Sequence, residues 1–161
     1  MRKMSLEAVK AYLGKFNMEE RVMEFPVSSA TVELAAKAVG VEPARIAKTL
    51  SFKQGTQALL IAVAGDAKID NRKFKDYFGM KAKMLTPQEV VELTGHAVGG
   101  VCPFALPEGT QVYLDESLRR FKTVYPAAGS SNSAVQLNCE ELFQTSGAKA
   151  WIDVCKGWET E

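Results

Sequence analysis

A chain of 161 residues, 47% hydrophobic and 24% charged, has the length and balance of one globular domain that can bury a core without disulfide or metal staples. Its net charge of +1 is too small for broad binding to a nucleic acid backbone, and no apolar run approaches the ~20 residues of a membrane helix, so neither DNA nor a membrane is expected as a partner. Three separated cysteines without a C-x-x-C pair and a single histidine argue against a disulfide framework, a zinc site or a multi-histidine centre, and no metal or other cofactor is expected.

The opening residues 1–5 lead straight into an amphipathic pattern rather than a secretory leader, which makes the cytoplasm the expected location. Ser5 caps a predicted first helix with Leu6, Val9, Leu13 and Phe16 on one face. A short strand is expected over 21–25. Ser28 or Ser29 is then placed to cap a second helix over 31–39, whose stripe of Val32, Ala35, Ala36 and Val39 ends at Gly40.

Ile46-Ala47-Lys48-Thr49-Leu50-Ser51-Phe52 reads as a strand with a lysine on its apolar face, since Ile46, Lys48, Leu50 and Phe52 alternate with Ala47, Thr49 and Ser51. One reading makes Lys48 a solvated edge residue. The other projects it into a pocket, where its charge serves an anionic or carbonyl-bearing ligand. A hairpin turn at 54–56 leads to the run 58–64, apolar on both faces as a central strand is.

Asp70 caps a predicted helix over 71–78, residues 81–85 alternate like a strand, and Pro87 starts a helix to about 93. Arg72, Lys73, Lys75, Lys81 and Lys83 make this the most basic stretch, either a solvated face or a phosphate-docking surface. Residues 94–104 are rich in glycine yet apolar, the composition of a shaped loop whose backbone can approach a ligand. Its glycines match neither the dinucleotide fingerprint nor a phosphate-binding loop of the Walker type. Strands over 111–115, 123–127 and 134–137, a helical turn over 116–121, a polar loop at 129–133, a helix over 139–144 and a last strand over 150–154 complete an α+β fold. It is read as a single domain, 1–161, with a mixed, curled, barrel-like sheet flanked by helices.

Three blocks together resemble the YbaK/prolyl-tRNA synthetase-associated editing-domain family, which includes free-standing deacylases of mischarged tRNA. The first runs from Gly40-Val41-Glu42-Pro43 to Ala47-Lys48-Thr49-Leu50 and carries the family's lysine. The second holds its G-x-x-x-P loop, Gly99-Gly100-Val101-Cys102-Pro103, and the third spans 125–137 around Gly129. The resemblance implies a trans-editing deacylase that hydrolyses the ester of mischarged tRNA, with tRNA for proline as the expected substrate and prolyl-tRNA synthetase as a possible partner. It implies a catalytic set of Lys48, Gly99, Gly100 and Pro103, with Thr31, Thr49, His96, Val101, Cys102 and Gly129 as substrate-contacting positions. Such a site works by positioning and electrostatics, without a metal or covalent nucleophile. A non-catalytic module that binds a nucleotide or tRNA end is the competing reading, and a thiol hydrolase built on Cys102 and His96 is another. Relatives that remove cysteine carry a serine and an aspartate in the third block where Ala127 and Ala134 stand here, so the amino acid removed stays open.

Overall fold

The computed structural model describes residues 5–158, so the expectation drawn from residues 1–4 lies outside the described residues. Helix α1 (Ser5–Gly14) buries Val9 and Leu13 and precedes strand β1 (Val22–Glu24). Helix α2 (Val32–Val39) is capped by Thr31, whose hydroxyl accepts from the Leu34 N–H at 3.1 Å, and not by either expected serine. Ser29 is unavailable because it is buried, its hydroxyl turned toward the carbonyls of Ser131 and Ser133. Gly40, at φ +88°, closes α2 in the left-handed conformation that a side chain would disfavour.

Strands β2 (Ile46–Gln54) and β3 (Gln57–Ala64) form the predicted hairpin, followed by β4 (Lys68–Ile69) and α3 (Asn71–Phe78). Asp70 caps α3 by accepting from the N–H groups of Arg72 and Lys73, and Phe74 on its inner face packs against Phe52 with ring centroids 4.9 Å apart. The strand expected over 81–85 does not form. That segment makes only an isolated bridge to β2 at Phe52 and Met84, because the chain turns at Thr86 into α4 (Pro87–Thr94) under a capping box.

Beyond the glycine loop come β5 (Gln111–Asp115), β6 (Thr123–Pro126), β7 (Ser133–Val135), β8 (Leu137–Asn138), α5 (Cys139–Ser146), β9 (Trp151–Ile152) and β10 (Cys155–Lys156). The expected single strand over 134–137 is divided. β7 pairs with β1 and β8 with β6, while Gln136 between them bonds its N–H to the Arg21 carbonyl at 3.3 Å.

The main sheet has six strands in the order β8-β6-β2-β3-β5-β9. β2–β3 and β6–β8 are antiparallel, whereas β2–β6, β3–β5 and β5–β9 are parallel, so the sheet is mixed and curls into a half-barrel with five helices around it. β3 lies inside it, and Ala58 through Ala64 are each no more than 1% exposed, which accounts for their continuous apolarity. β2 is covered on both faces too. Ala47, Thr49 and Ser51, expected to point away from the core, are buried as well as Ile46 and Phe52. No described helix is long and apolar enough to cross a membrane.

Candidate active site

β2 has a full partner on only one edge. β6 accompanies it at Ile46 and Ala47 and then diverges, and the 83–85 segment arrives only at Ser51 and Lys53. A cavity of about 350 Å³ opens in the gap. Its walls come from the middle of β2, the residues leading into α2, the first turns of α4, the glycine loop and the β6–β7 region. Most of the lining is apolar, including Ala35, Leu50, Val90, Val101, Ala127 and Ala134. The few polar groups among it therefore govern what the cavity can hold.

Lys48 is one of them. It is half-buried, and its Nζ donates to the Gly65 carbonyl at 3.4 Å, with no ion pair to a carboxylate among the described residues. Burial holds its ammonium below the ordinary lysine value, an effect that the Asp66 carboxylate opposes in part. Asp66 is itself tied to Arg120 at 2.6 Å. A half-desolvated cation without a counter-ion is costly for folding and useful for holding an anion or polarising a carbonyl. The N-terminal end of α2 borders the same cavity and adds its partial positive charge.

The structure brings Lys48, Thr31, Thr49, Gly99 and Val101 to the cavity wall. Thr31 reaches its mouth while its hydroxyl serves the helix cap. Gly100, Pro103, His96, Cys102 and Gly129 lie behind the wall, all buried. A Cβ on Gly100 would stand 2.6 Å from the carbonyl carbon of Gly129 and the nitrogen of Ser130, so two stretches of backbone touch here without room for a methyl group. A Cβ on Gly129, itself at φ +94°, would stand 2.8 Å from the Ser5 carbonyl oxygen and hydroxyl, which joins α1 to the same layer. Gly99 is looser, its added Cβ falling 3.1 Å from the Ala30 side chain.

His96 locks this layer. Its Nε2 donates to the Phe104 carbonyl at 2.8 Å and its Nδ1 accepts from the Ser5 hydroxyl, an assignment that follows because a carbonyl can only accept. Burial lowers its pKa, with the Phe104 hydrogen bond opposing, so the ring is held neutral. The Cys102 sulfur is 3.6 Å from Nε2, the nitrogen that already carries the proton, and burial pushes the thiol up to about 12. No base is therefore directed at Cys102, and its thiol cannot reach the cavity. We expect iodoacetamide at pH 7.5 to leave ligand binding unchanged and Cys102 unmodified in the folded protein, as read by peptide mass; rapid alkylation of Cys102 would restore the thiol-hydrolase reading.

Several wall residues were not among the site positions expected from the sequence. Ser29, Tyr125 and Ser133 face the cavity from three separate segments, and Tyr125 is held by the Arg45 guanidinium 5.6 Å above its ring. Of the basic stretch, Lys73 is engaged with Asp153 at 3.1 Å and with the Cys155 carbonyl at 3.0 Å, while Arg72, Lys75, Lys81 and Lys83 are exposed. Among the described residues no group of three or more His, Cys, Asp or Glu side chains is arranged to hold a metal ion.

Comparison with known proteins places this architecture. The chain is 57% identical over 157 residues to the uncharacterized protein YwhH of Bacillus subtilis, covering 97% of this chain and 100% of that one. It is 25% identical over 150 residues to the proline–tRNA ligase of Thermosipho melanesiensis, of which it spans 26%. A solved structure of a candidate trans-editing enzyme for prolyl tRNA synthetase superposes with a TM-score of 0.86 at 33% identity, covering 98% of this chain and 100% of the other. The profile of the aminoacyl-tRNA editing domain matches residues 27–145, a span that includes every residue of the described cavity wall, and the chain belongs to that family.

Proposed function

We propose that the protein is a free-standing deacylase that hydrolyses the ester of mischarged tRNA, with tRNA for proline as its substrate. The observation that carries this reading is the unneutralised Lys48 at an apolar cavity of about 350 Å³ in an editing-domain chain. The cavity is of a size to enclose an aminoacyl group while the acceptor adenosine stays at its mouth. Lys48 then lies beside the ester, holding a phosphate or drawing charge onto the carbonyl oxygen. The main chain at Gly99 closes the opposite side, and Gly100, His96, Pro103 and Gly129 keep the loop in place. With Cys102 sealed away, the attacking oxygen comes from water or a substrate hydroxyl, oriented by a preorganised pocket.

The proline–tRNA ligase relatives contain a similar segment within longer chains, which supports action on the product of that synthetase. Arg72, Lys75, Lys81 and Lys83 make no ion pair among the described residues and are the candidates for contacting acceptor-stem phosphates. The test is a deacylation screen across mischarged tRNAs, each compared with its correctly charged form. Release of free amino acid from mischarged tRNA for proline, with the prolylated form spared, is expected. Binding without turnover of any of them would make the protein a tRNA-end binding module.

A further inference from the structure

Thr49 combines burial with unmet hydrogen-bonding capacity on the cavity wall. It is 8% exposed, and its hydroxyl has no hydrogen-bond partner among the described residues. Buried hydroxyls are seldom left in this state, because the lost hydration is not recovered. The main chain beside it is similarly placed. The Lys53 N–H and the Ser51 carbonyl bond outward, away from β3, to Lys83 and Leu85. Peptide groups repeat their direction every second residue along a strand, so Thr49 also turns its N–H and carbonyl outward. β6 has diverged by that point, and among the described residues no strand pairs with this edge at Thr49. Thr49 is one of the residues that line the cavity, so its buried hydroxyl and the outward carbonyl and N–H of the same residue come together at this wall.

Among the described residues the rest of the wall contains no carboxylate, and Lys48 is its one charged side chain. An ammonium group has three N–H donors and no acceptor, so in such a pocket it must be met by neutral oxygens. We infer that the open edge of β2 at Thr49 is the subsite for the amino group of an aminoacyl ligand, held by the Thr49 hydroxyl and main-chain carbonyl in place of an acidic side chain. The Thr49 N–H, pointing the same way, meets the ligand's carbonyl oxygen, so the aminoacyl group docks on the edge as one residue of an added strand does. This inference rests on the aminoacyl-ester reading of the cavity.

The test uses two non-hydrolysable probes, 3′-alanylamino-3′-deoxyadenosine and its desamino counterpart 3′-propionylamino-3′-deoxyadenosine. Calorimetric affinities are compared for the parent, Thr49→Val and Thr49→Ser. The parent should prefer the alanyl probe. Thr49→Val should lose about ten- to a hundredfold in affinity for that probe, the range for one hydrogen bond to a charged group, with little change for the propionyl probe. Thr49→Ser should restore the difference. The valine variant keeps the side-chain shape and removes an unpaired hydroxyl, so its thermal midpoint should hold or rise; Thr49→Ala supplies the same comparison if valine packs poorly. Equal losses on both probes, no loss on either, or no binding of either probe by the parent would overturn the subsite. A Thr49-dependent preference in a protein that turns over no mischarged tRNA would keep the subsite and remove the deacylase reading alone.

Discussion

Lys48→Ala is expected to lower kcat/KM for deacylation by about 10²–10³, the loss typical when one group that stabilises developing oxyanion charge is removed. Its thermal midpoint should stay at or above that of the parent. The ammonium is half-buried with a single long contact to the Gly65 carbonyl, so folding recovers little of the hydration it gives up. Lys48→Met preserves the aliphatic stem and separates lost packing from lost charge. Lys48→Arg should also be impaired, because a planar fork does not occupy the position of a compact ammonium. Steady-state kinetics with a charged tRNA, paired with thermal denaturation, decide the matter: full activity in Lys48→Ala would place the chemistry elsewhere, and an unfolded variant would make the lysine structural.

Two adjacent glycines should fail in different ways. Gly100→Ala must push apart the backbone of Gly129 and Ser130, which a new Cβ would meet at 2.6 Å, and neither stretch is a flexible side-chain end that could swing clear. Overpacking of this kind costs about 3 kcal/mol, which for a domain of this size lowers the thermal midpoint by roughly 6–12 °C. Gly99→Ala meets a side-chain methyl of Ala30 at 3.1 Å and needs only a small shift. Its stability should fall by no more than about 1 kcal/mol. It should nevertheless reduce turnover, about tenfold, because the added methyl narrows the cavity where the ester must sit. Thermal melts and deacylation rates of the pair test this division. Equal effects of the two variants on both measurements would mean the loop acts as one rigid unit.

Local chemistry was legible in the sequence wherever it acts within a few residues. Asp70 and Asn138 cap the helices they precede, Gly40, Gly79 and Gly147 end helices in the left-handed conformation, and the continuous apolarity of 58–64 marks a strand buried on both faces. The resemblance of the Lys48 stretch and the 99–103 loop to the editing-domain family was likewise legible, because each stretch carries its own motif. Contacts between distant segments left no such mark. Thr31 rather than a nearby serine caps α2 because Ser29 is drawn to carbonyls of residues 131 and 133, about a hundred positions away. Residues 81–85 alternate like a strand yet form only one bridge, since the Thr86 capping box turns the chain into a helix at once. His96, Cys102 and Gly129 share a neighbourhood with the site in sequence pattern, but only the packing of α1 against the glycine loop puts them behind its wall. Above all, a strand's sequence does not say which of its edges will be paired. The unpartnered edge at Thr49 exists because β6 leaves β2 after Ala47, and that divergence is decided by how the whole sheet curls.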